Sequence, residues 1–164
     1  MSEGPLKILY FHGWQSVPGG VKPSYLRDRG FEVIEPSLPD DDFGEAMRIA
    51  EAFRRDHRPD VIVGSSRGGS LGMNIDSGDT PLVLLCPAWK RWGSARTVKS
   101  GTVILHAVTD ETIPYADSLE LLQNSGLPDS ALITTGSIHR LTDDDSLRLM
   151  AEAAQSQGRV HPGR

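Results

Sequence analysis

Six short apolar runs, separated by segments of helical periodicity, constrain the fold of this chain more than any other feature of its sequence. The runs cover residues 7–11, 31–34, 61–63, 82–86, 102–105 and 131–135. Continuous apolar runs of this length are typical of strands buried on both faces, as in parallel sheets. Helical patterns lie between them at 24–29, 43–57 and 115–124, and another follows the last run at 143–157. The alternation predicts an α/β fold: a doubly wound, about six-stranded parallel sheet with helices on both faces.

The length of the chain and its apolar content suit a single domain. It has 164 residues, of which 38% are hydrophobic, and this is enough for one core. We predict one domain over residues 1–157. The segment 158–164 is rich in glycine, proline and arginine, so we predict a frayed C-terminal tail there.

Charge and cysteine content exclude several functional classes. The net charge of −5 argues against nucleic acid or an anionic membrane surface as a partner. The longest purely apolar run, 82–86, is too short to span a bilayer, and residues 1–7 lack the layout of a signal peptide. Cys86 is the only cysteine, so no internal disulfide or cysteine cluster forms. We expect a soluble, cytoplasmic protein, and its oligomeric state remains open.

Ser66 is the candidate nucleophile. In doubly wound sheets the residues that follow each strand line the ligand site, and residues 64–68 match the pattern Gly-x-Ser-x-Gly directly after the third run. The pattern alone is weak, because residues 68–72 match it again around Ser70. Only the first match joins a strand to a helix of small residues, as a nucleophile elbow requires. The alternative is a glycine-rich turn that only packs the helix on the strand.

Asp110 and His139 are the candidate acid and base. A serine nucleophile needs a base that is itself oriented by a carboxylate, and in this kind of fold both follow the serine on later strands. Asp110 follows the fifth run and His139 follows the sixth. The rival acids are Glu111 and Asp117. The other histidines are expected at the surface (His57, His161), in the first loop (His12) or buried in support of the acid loop (His106).

Backbone N–H groups and tryptophans complete the predicted site. The N–H groups of Arg67 and Trp14 are the candidate oxyanion donors, with Gln15 as the alternative to Trp14. Trp14, Trp89 and Trp92 follow strand ends and are predicted to bind the acyl part of a substrate as an apolar wall, although ordinary packing is the alternative. The segment 87–101 is too short for a helical lid, so a shallow, open site is expected.

Four segments together resemble the α/β-hydrolase superfamily, and most closely its small, lidless bacterial esterase and thioesterase branch. They are residues 11–13, 64–68, 106–114 and 136–140. The resemblance implies a minimal α/β-hydrolase fold without a lid domain. By position it also implies Ser66 as nucleophile, Asp110 as acid, His139 as base, and Trp14 and Arg67 as oxyanion donors.

These observations predict a serine hydrolase of the carboxylesterase type, which cleaves small-molecule esters or thioesters through an acyl-enzyme. No cofactor and no metal are implied, because no cluster of histidine and carboxylate residues has ligand spacing. Two alternatives remain. One is a thioesterase or an amide or peptide hydrolase with the same three residues. The other is a non-catalytic module that binds a ligand or partner on the same fold.

Overall fold

The computed structural model describes residues 4–159 and contains one parallel sheet of six strands, in the order β2-β1-β3-β4-β5-β6. The strands are β1 Lys7–Phe11, β2 Glu32–Ile34, β3 Val61–Ser65, β4 Leu82–Leu85, β5 Val103–His106 and β6 Leu132–Thr134. The chain passes from β1 to β2 on one side and then crosses to the other side of β1 to form β3. At the carboxyl ends of β1 and β3, Phe11 lies opposite Gly64. The predicted α/β fold class is confirmed.

Among residues 4–159, five α-helices cover the two faces of the sheet. They are α1 Val21–Asp28, α2 Phe43–His57, α3 Arg67–Asn74, α4 Tyr115–Ser125 and α5 Asp144–Arg159. In β1, Ile8 and Tyr10 pack in the hydrophobic cluster that contains α1 and α5, whereas Leu9 and Phe11 pack in the cluster that contains α2, α3 and α4. Both faces of the central strands are therefore buried, and this is why their sequences are continuous apolar runs.

The C-terminal helix extends further than its sequence pattern indicates. The predicted end was residue 157, but α5 continues to Arg159 and Gly158 is buried. A Cβ atom on Gly158 would lie 2.9 Å from Leu6 Cδ1, so the missing side chain lets the helix end pack closely beside the start of β1. The prediction of a frayed tail is therefore wrong for residues 158 and 159. Residues 160–164 lie outside the described part of the chain.

The segment 87–101 between β4 and β5 is irregular and lies across the ends of two helices. The Asn74 side chain accepts the N–H groups of Ser94 and Ala95, and the N–H of Val98 donates to Ser125 Oγ. Within residues 4–159 the segment forms no lid domain, as predicted. No helix in that range has the combined length and apolar character that a membrane span requires.

Candidate active site

Ser66 occupies a sharp turn between β3 and α3. Its backbone angles, φ 57° and ψ −114°, are unusual for a residue with a side chain and mark a strained conformation. Two glycines make the turn possible. A Cβ on Gly64 would lie 2.4 Å from Gly68 O, and one on Gly68 would lie 2.1 Å from Phe11 O. The turn thus has the geometry of a nucleophile elbow, which exposes a serine hydroxyl at the end of the sheet.

The structure brings the Ser66, His139 and Asp110 side chains together in one chain of hydrogen bonds. His139 Nδ1 lies 2.8 Å from Asp110 Oδ2, and His139 Nε2 lies 3.0 Å from Ser66 Oγ. Because an ionised carboxylate can only accept, Nδ1 carries the proton. Nε2 is then free to accept the proton of the serine hydroxyl. This is the arrangement in which an imidazole acts as a general base toward a serine.

The Asp110 carboxylate is buried and fully hydrogen-bonded. Its Oδ1 accepts the N–H groups of Thr112 and Ile113 at 2.7 and 2.8 Å, and its Oδ2 lies near both His139 and His106. Burial by itself would raise the pKa of Asp110, but the hydrogen bonds from His139, Ile113 and Thr112 outweigh it and hold the pKa below its ordinary value. The carboxylate therefore stays ionised beside the imidazole at neutral pH.

His106, which the sequence predicted as a buried support of the acid loop, contacts this carboxylate directly. Its Nε2 lies 2.9 Å from Ile113 O and 3.1 Å from Asp110 Oδ2, and its Nδ1 lies 2.7 Å from Ser118 Oγ. A carbonyl only accepts, so His106 Nε2 carries the proton and His106 Nδ1 accepts the hydroxyl proton of Ser118. The ring is fully buried, and burial lowers its pKa. His106 is thus a neutral donor that holds Asp110 in place.

Two further contacts fix the backbone that carries His139. Glu111, the rival acid, accepts the His139 N–H through Oε1 at 3.1 Å. The Cys86 thiol donates to His139 O at 3.1 Å, and burial raises the pKa of this thiol, so it is protonated at neutral pH. Cys86, Asp110 and His139 each have a potential ligand atom within 4.8 Å of the others. These atoms already bond within the cluster, and a protonated thiol is a poor metal ligand.

The predicted oxyanion donors flank Ser66. The Arg67 N–H is the first of α3, and the first N–H groups of a helix have no intrahelical acceptor. Trp14 lies on the loop after β1. Its neighbour Gln15 has φ 57° and donates its N–H to Asp40 Oδ1 at 2.9 Å, so the alternative donor is already occupied. This leaves Trp14 as the donor available on that loop.

The Arg67 side chain has a structural role that its position in the sequence does not indicate. It is buried, and its guanidinium donates to Pro39 O at 2.8 Å and to Asp40 O at 3.3 Å. The guanidinium also lies 5.6 Å from the centre of the Trp92 ring. Arg67 therefore ties the loop that carries Asp40, and through it Gln15, to the elbow.

A cavity of about 460 Å³ opens at Ser66 and His139 and includes Trp14 and Trp92 in its lining. The centres of these two rings lie 6.4 Å apart, and Trp14 is 53% exposed. Trp89 is not in the lining. Its side chain is buried in the core cluster that includes α2, α3 and α4, and its Nε1 donates to Asp117 O at 3.0 Å. The prediction of Trp89 as a substrate-binding residue is therefore wrong, because its indole N–H finds a backbone acceptor inside the protein.

The remaining candidates lie away from this hydrogen-bonded chain. Ser70 is buried on α3, and its hydroxyl has no hydrogen-bond partner among the described residues. His12 bridges the first loop by hydrogen bonds to Gly13 O and from the N–H of Leu38. Asp117 forms an ion pair with Lys90 at 3.3 Å. His57 ends α2, and His161 lies outside the described residues.

Comparison with known proteins supports the fold. No family model matches the sequence, and no curated protein resembles it significantly. Among solved structures, Est1E from Butyrivibrio proteoclasticus superposes with a TM-score of 0.73 at 16% identity, over 99% of this chain and 90% of that one. A monoacylglycerol lipase from Paleococcus ferrophilus gives 0.74 at 14% identity, over 94% and 96%. Mouse α/β-hydrolase domain-containing protein 10 gives 0.72 at 15%, over 92% and 88%. Over residues 4–159 the chain has the α/β-hydrolase fold without a lid.

Proposed function

We propose that the protein is a serine hydrolase that cleaves carboxylic esters through an acyl-enzyme intermediate. The observation that carries the proposal is the continuous hydrogen-bonded chain from Ser66 Oγ through His139 to Asp110. The similarity of the fold to esterase and lipase structures adds support. Small-molecule esters are the substrate class, and the cavity at Ser66 is where they bind.

The first half of the proposed reaction forms the acyl-enzyme. Ser66 Oγ attacks the carbonyl carbon of the ester while His139 Nε2 takes the hydroxyl proton. The negative charge that develops on the carbonyl oxygen is stabilised by the N–H groups of Arg67 and Trp14, each worth about 3 kcal/mol in the transition state. Asp110 stabilises the imidazolium. The bond to the alcohol oxygen then breaks, and His139 returns its proton to the leaving alcohol.

The second half regenerates the enzyme. A water molecule loses a proton to His139 Nε2 and attacks the acyl carbon, and the same N–H groups stabilise the second oxyanion. The bond to Ser66 Oγ breaks, His139 gives the proton back to the serine, and the carboxylic acid leaves. The same steps would cleave a thioester or an amide. Comparison of an oxygen ester with the thioester of the same acyl group identifies the preferred leaving group.

A fluorophosphonate probe tests the proposal, because it labels only a serine that is activated as a nucleophile. We expect labelling of the wild-type protein and hydrolysis of p-nitrophenyl acetate. Both should be lost on Ser66→Ala, with kcat reduced by more than about 10³-fold. Ser70→Ala is the matched control on the next turn of the same helix, and it should keep both. A folded wild-type protein that neither reacts with the probe nor hydrolyses the ester would favour the non-catalytic binding module.

A further inference from the structure

The lining of the cavity at Ser66 includes three cationic side chains. Lys22 from α1 and Arg140 from the loop after β6 both belong to the lining, together with Arg91. The guanidinium of Arg91 already donates to Thr112 O at 2.7 Å. Lys22 and Arg140 remain as the cationic groups available to a bound molecule.

Lys22 has no counter-ion within the described range of the chain. No carboxylate or carbonyl among residues 4–159 accepts a hydrogen bond from its ammonium. Burial lowers the pKa of Lys22, and the nearby positive charge of Arg140 lowers it further. Lys22 is half-buried, and partial removal of an unpaired ammonium group from water costs free energy. An anion in the cavity would supply the missing partner to both residues.

The start of α1 adds to the positive potential at this position. The helix begins at Val21 after Gly20, both of which line the cavity. Its first turn contains no acidic residue, and no side chain caps its N–H groups. The N-terminal end of a helix carries a partial positive charge, which favours an anion there. Lys22 in this first turn is unfavourable for the helix unless a negative charge is bound beside it.

The one carboxylate in the lining of this cavity, Glu35, does not take that place. Its side chain is only 2% exposed, and Oε1 lies 3.5 Å from the Arg27 guanidinium and accepts the Gly19 N–H at 3.0 Å. The Glu35 side chain is therefore buried and already paired with Arg27 and the Gly19 N–H. Its second oxygen, Oε2, is buried without a hydrogen-bond partner. The competing possibility is a substrate whose ammonium group reaches this oxygen, and an ester with a cationic end tests it.

We propose that the substrate is an ester that also carries a carboxylate, and that Lys22 and Arg140 bind this carboxylate while Ser66 attacks the ester carbonyl. The proposal rests on the proposed function. Trp14 and Trp92 then form the apolar wall along the part of the substrate that joins the two groups. A purely alkyl chain in the cavity would leave the ammonium unpaired, so it would bind less well than a chain of the same length that ends in a carboxylate.

Matched esters test this selectivity at pH 7.5 by titration of the released acid. Monoethyl adipate and ethyl hexanoate have acyl chains of equal length that differ only in the terminal group. The pair 4-acetoxybutyrate and butyl acetate places the same difference on the alcohol. Ethyl 6-aminohexanoate supplies a cationic end. We expect kcat/KM for one of the carboxylate esters to exceed that of its neutral partner by about tenfold or more, the worth of a charge-assisted hydrogen bond.

Variants identify the residues responsible. Lys22→Met and Arg140→Gln should each bring the ratio of carboxylate to neutral ester close to one. Lys90→Met is the control, because Lys90 lies outside the cavity and pairs with Glu120 at 2.6 Å, so the ratio should not change. No preference for either carboxylate ester, a preference for the cationic ester, or a ratio that survives Lys22→Met in a folded protein would each overturn the proposal.

A binding measurement separates this proposal from the proposed function. Calorimetry with adipate and with hexanoate requires no turnover. We expect adipate to bind more tightly than hexanoate to the wild-type protein and to lose that advantage on Lys22→Met. If no ester is hydrolysed but adipate still shows this pattern, the anion site stands and the hydrolase function fails. If esters are hydrolysed but adipate binds no better than hexanoate, the hydrolase stands and the anion site fails.

Discussion

Gly68→Ala is the substitution whose cost can be worked most directly from the structure. A Cβ at this position would lie 2.1 Å from Phe11 O, 2.6 Å from Phe11 C and 2.8 Å from His12 O, whereas real contacts of this kind stay beyond 3.0 Å. All three atoms belong to the backbone at the end of β1. A side-chain rotation cannot relieve the clash, so α3 and β1 must move apart by roughly 1 Å.

The displacement should reduce both stability and activity. Overpacking of this kind costs about 1–3 kcal/mol, and replacing a helical glycine by alanine returns about 0.5–1 kcal/mol. The mid-values of these ranges give an expected net loss of about 1 kcal/mol. The clash also lies between the two predicted oxyanion donors, because Arg67 precedes Gly68 and Trp14 follows the end of β1. A displacement of about 1 Å at such donors lowers kcat by roughly 10²-fold.

Gly72→Ala on the same helix is the control. A Cβ there would lie 3.6 Å from Leu84 Cδ2 and 3.7 Å from Ile62 Cγ2, which are ordinary apolar contacts. We expect this variant to gain about 0.5–1 kcal/mol from helix propensity and to hydrolyse p-nitrophenyl acetate at the wild-type rate. Urea denaturation and initial rates measure the two effects. The reasoning is refuted if Gly68→Ala is as stable and as active as Gly72→Ala.

Two further predictions concern groups around the site. Because burial lowers the pKa of His106, the unfolded chain binds its proton first, so this residue's contribution to stability is complete above about pH 6.5 and is lost as the pH falls below that value. His106→Asn should therefore flatten the fall in unfolding free energy between pH 7.5 and 5 by up to about 1.4 kcal/mol per pH unit, measured from urea midpoints. The pKa of Asp110 is also lowered, but this carboxylate changes the pH dependence of stability only below about pH 4. An equal slope in both proteins would contradict this. Asp40→Ala should lower kcat by roughly fivefold with little change in KM, because its hydrogen bond to the Gln15 N–H holds the loop that carries the adjacent Trp14 donor and is worth about 1 kcal/mol. Asp40→Asn, which keeps an acceptor, should restore the rate. A change confined to KM would count against a positioning role.

The strands of the sheet and the three side chains of the hydrogen-bonded chain could be predicted from sequence because they depend on residue type. Burial of the sheet on both faces demands continuous apolar runs, and the six runs predicted the six strands. The turn at Ser66 requires glycine at 64 and 68, since any Cβ there would strike backbone atoms. Asp110 and His139 lie after β5 and β6 because parallel strands bring their carboxyl ends to one edge.

Other contacts could not be predicted because they join distant residues through backbone groups. The Cys86 thiol donates to the backbone carbonyl of His139, 53 residues away. Because every residue has such a carbonyl, residue type does not identify the acceptor. The Asp40 carboxylate accepts a backbone N–H from Gln15, 25 residues away. Trp89 and Trp92 lie in a segment without periodicity, so their spacing did not indicate which faces the core. The end of α5 depends on how Gly158 packs against Leu6, which composition does not reveal.

The two outer strands of the sheet also affect how copies of the protein meet. The strands β2 and β6 are three residues long, whereas each inner strand has four or five. Within the part of the chain that the structure describes, each outer strand pairs on one side only. Short outer strands offer few free backbone groups to a strand from another molecule. Edge-to-edge growth of the sheet between molecules is therefore disfavoured. The shortness of β2 and β6 protects this small fold against aggregation through strand pairing between molecules.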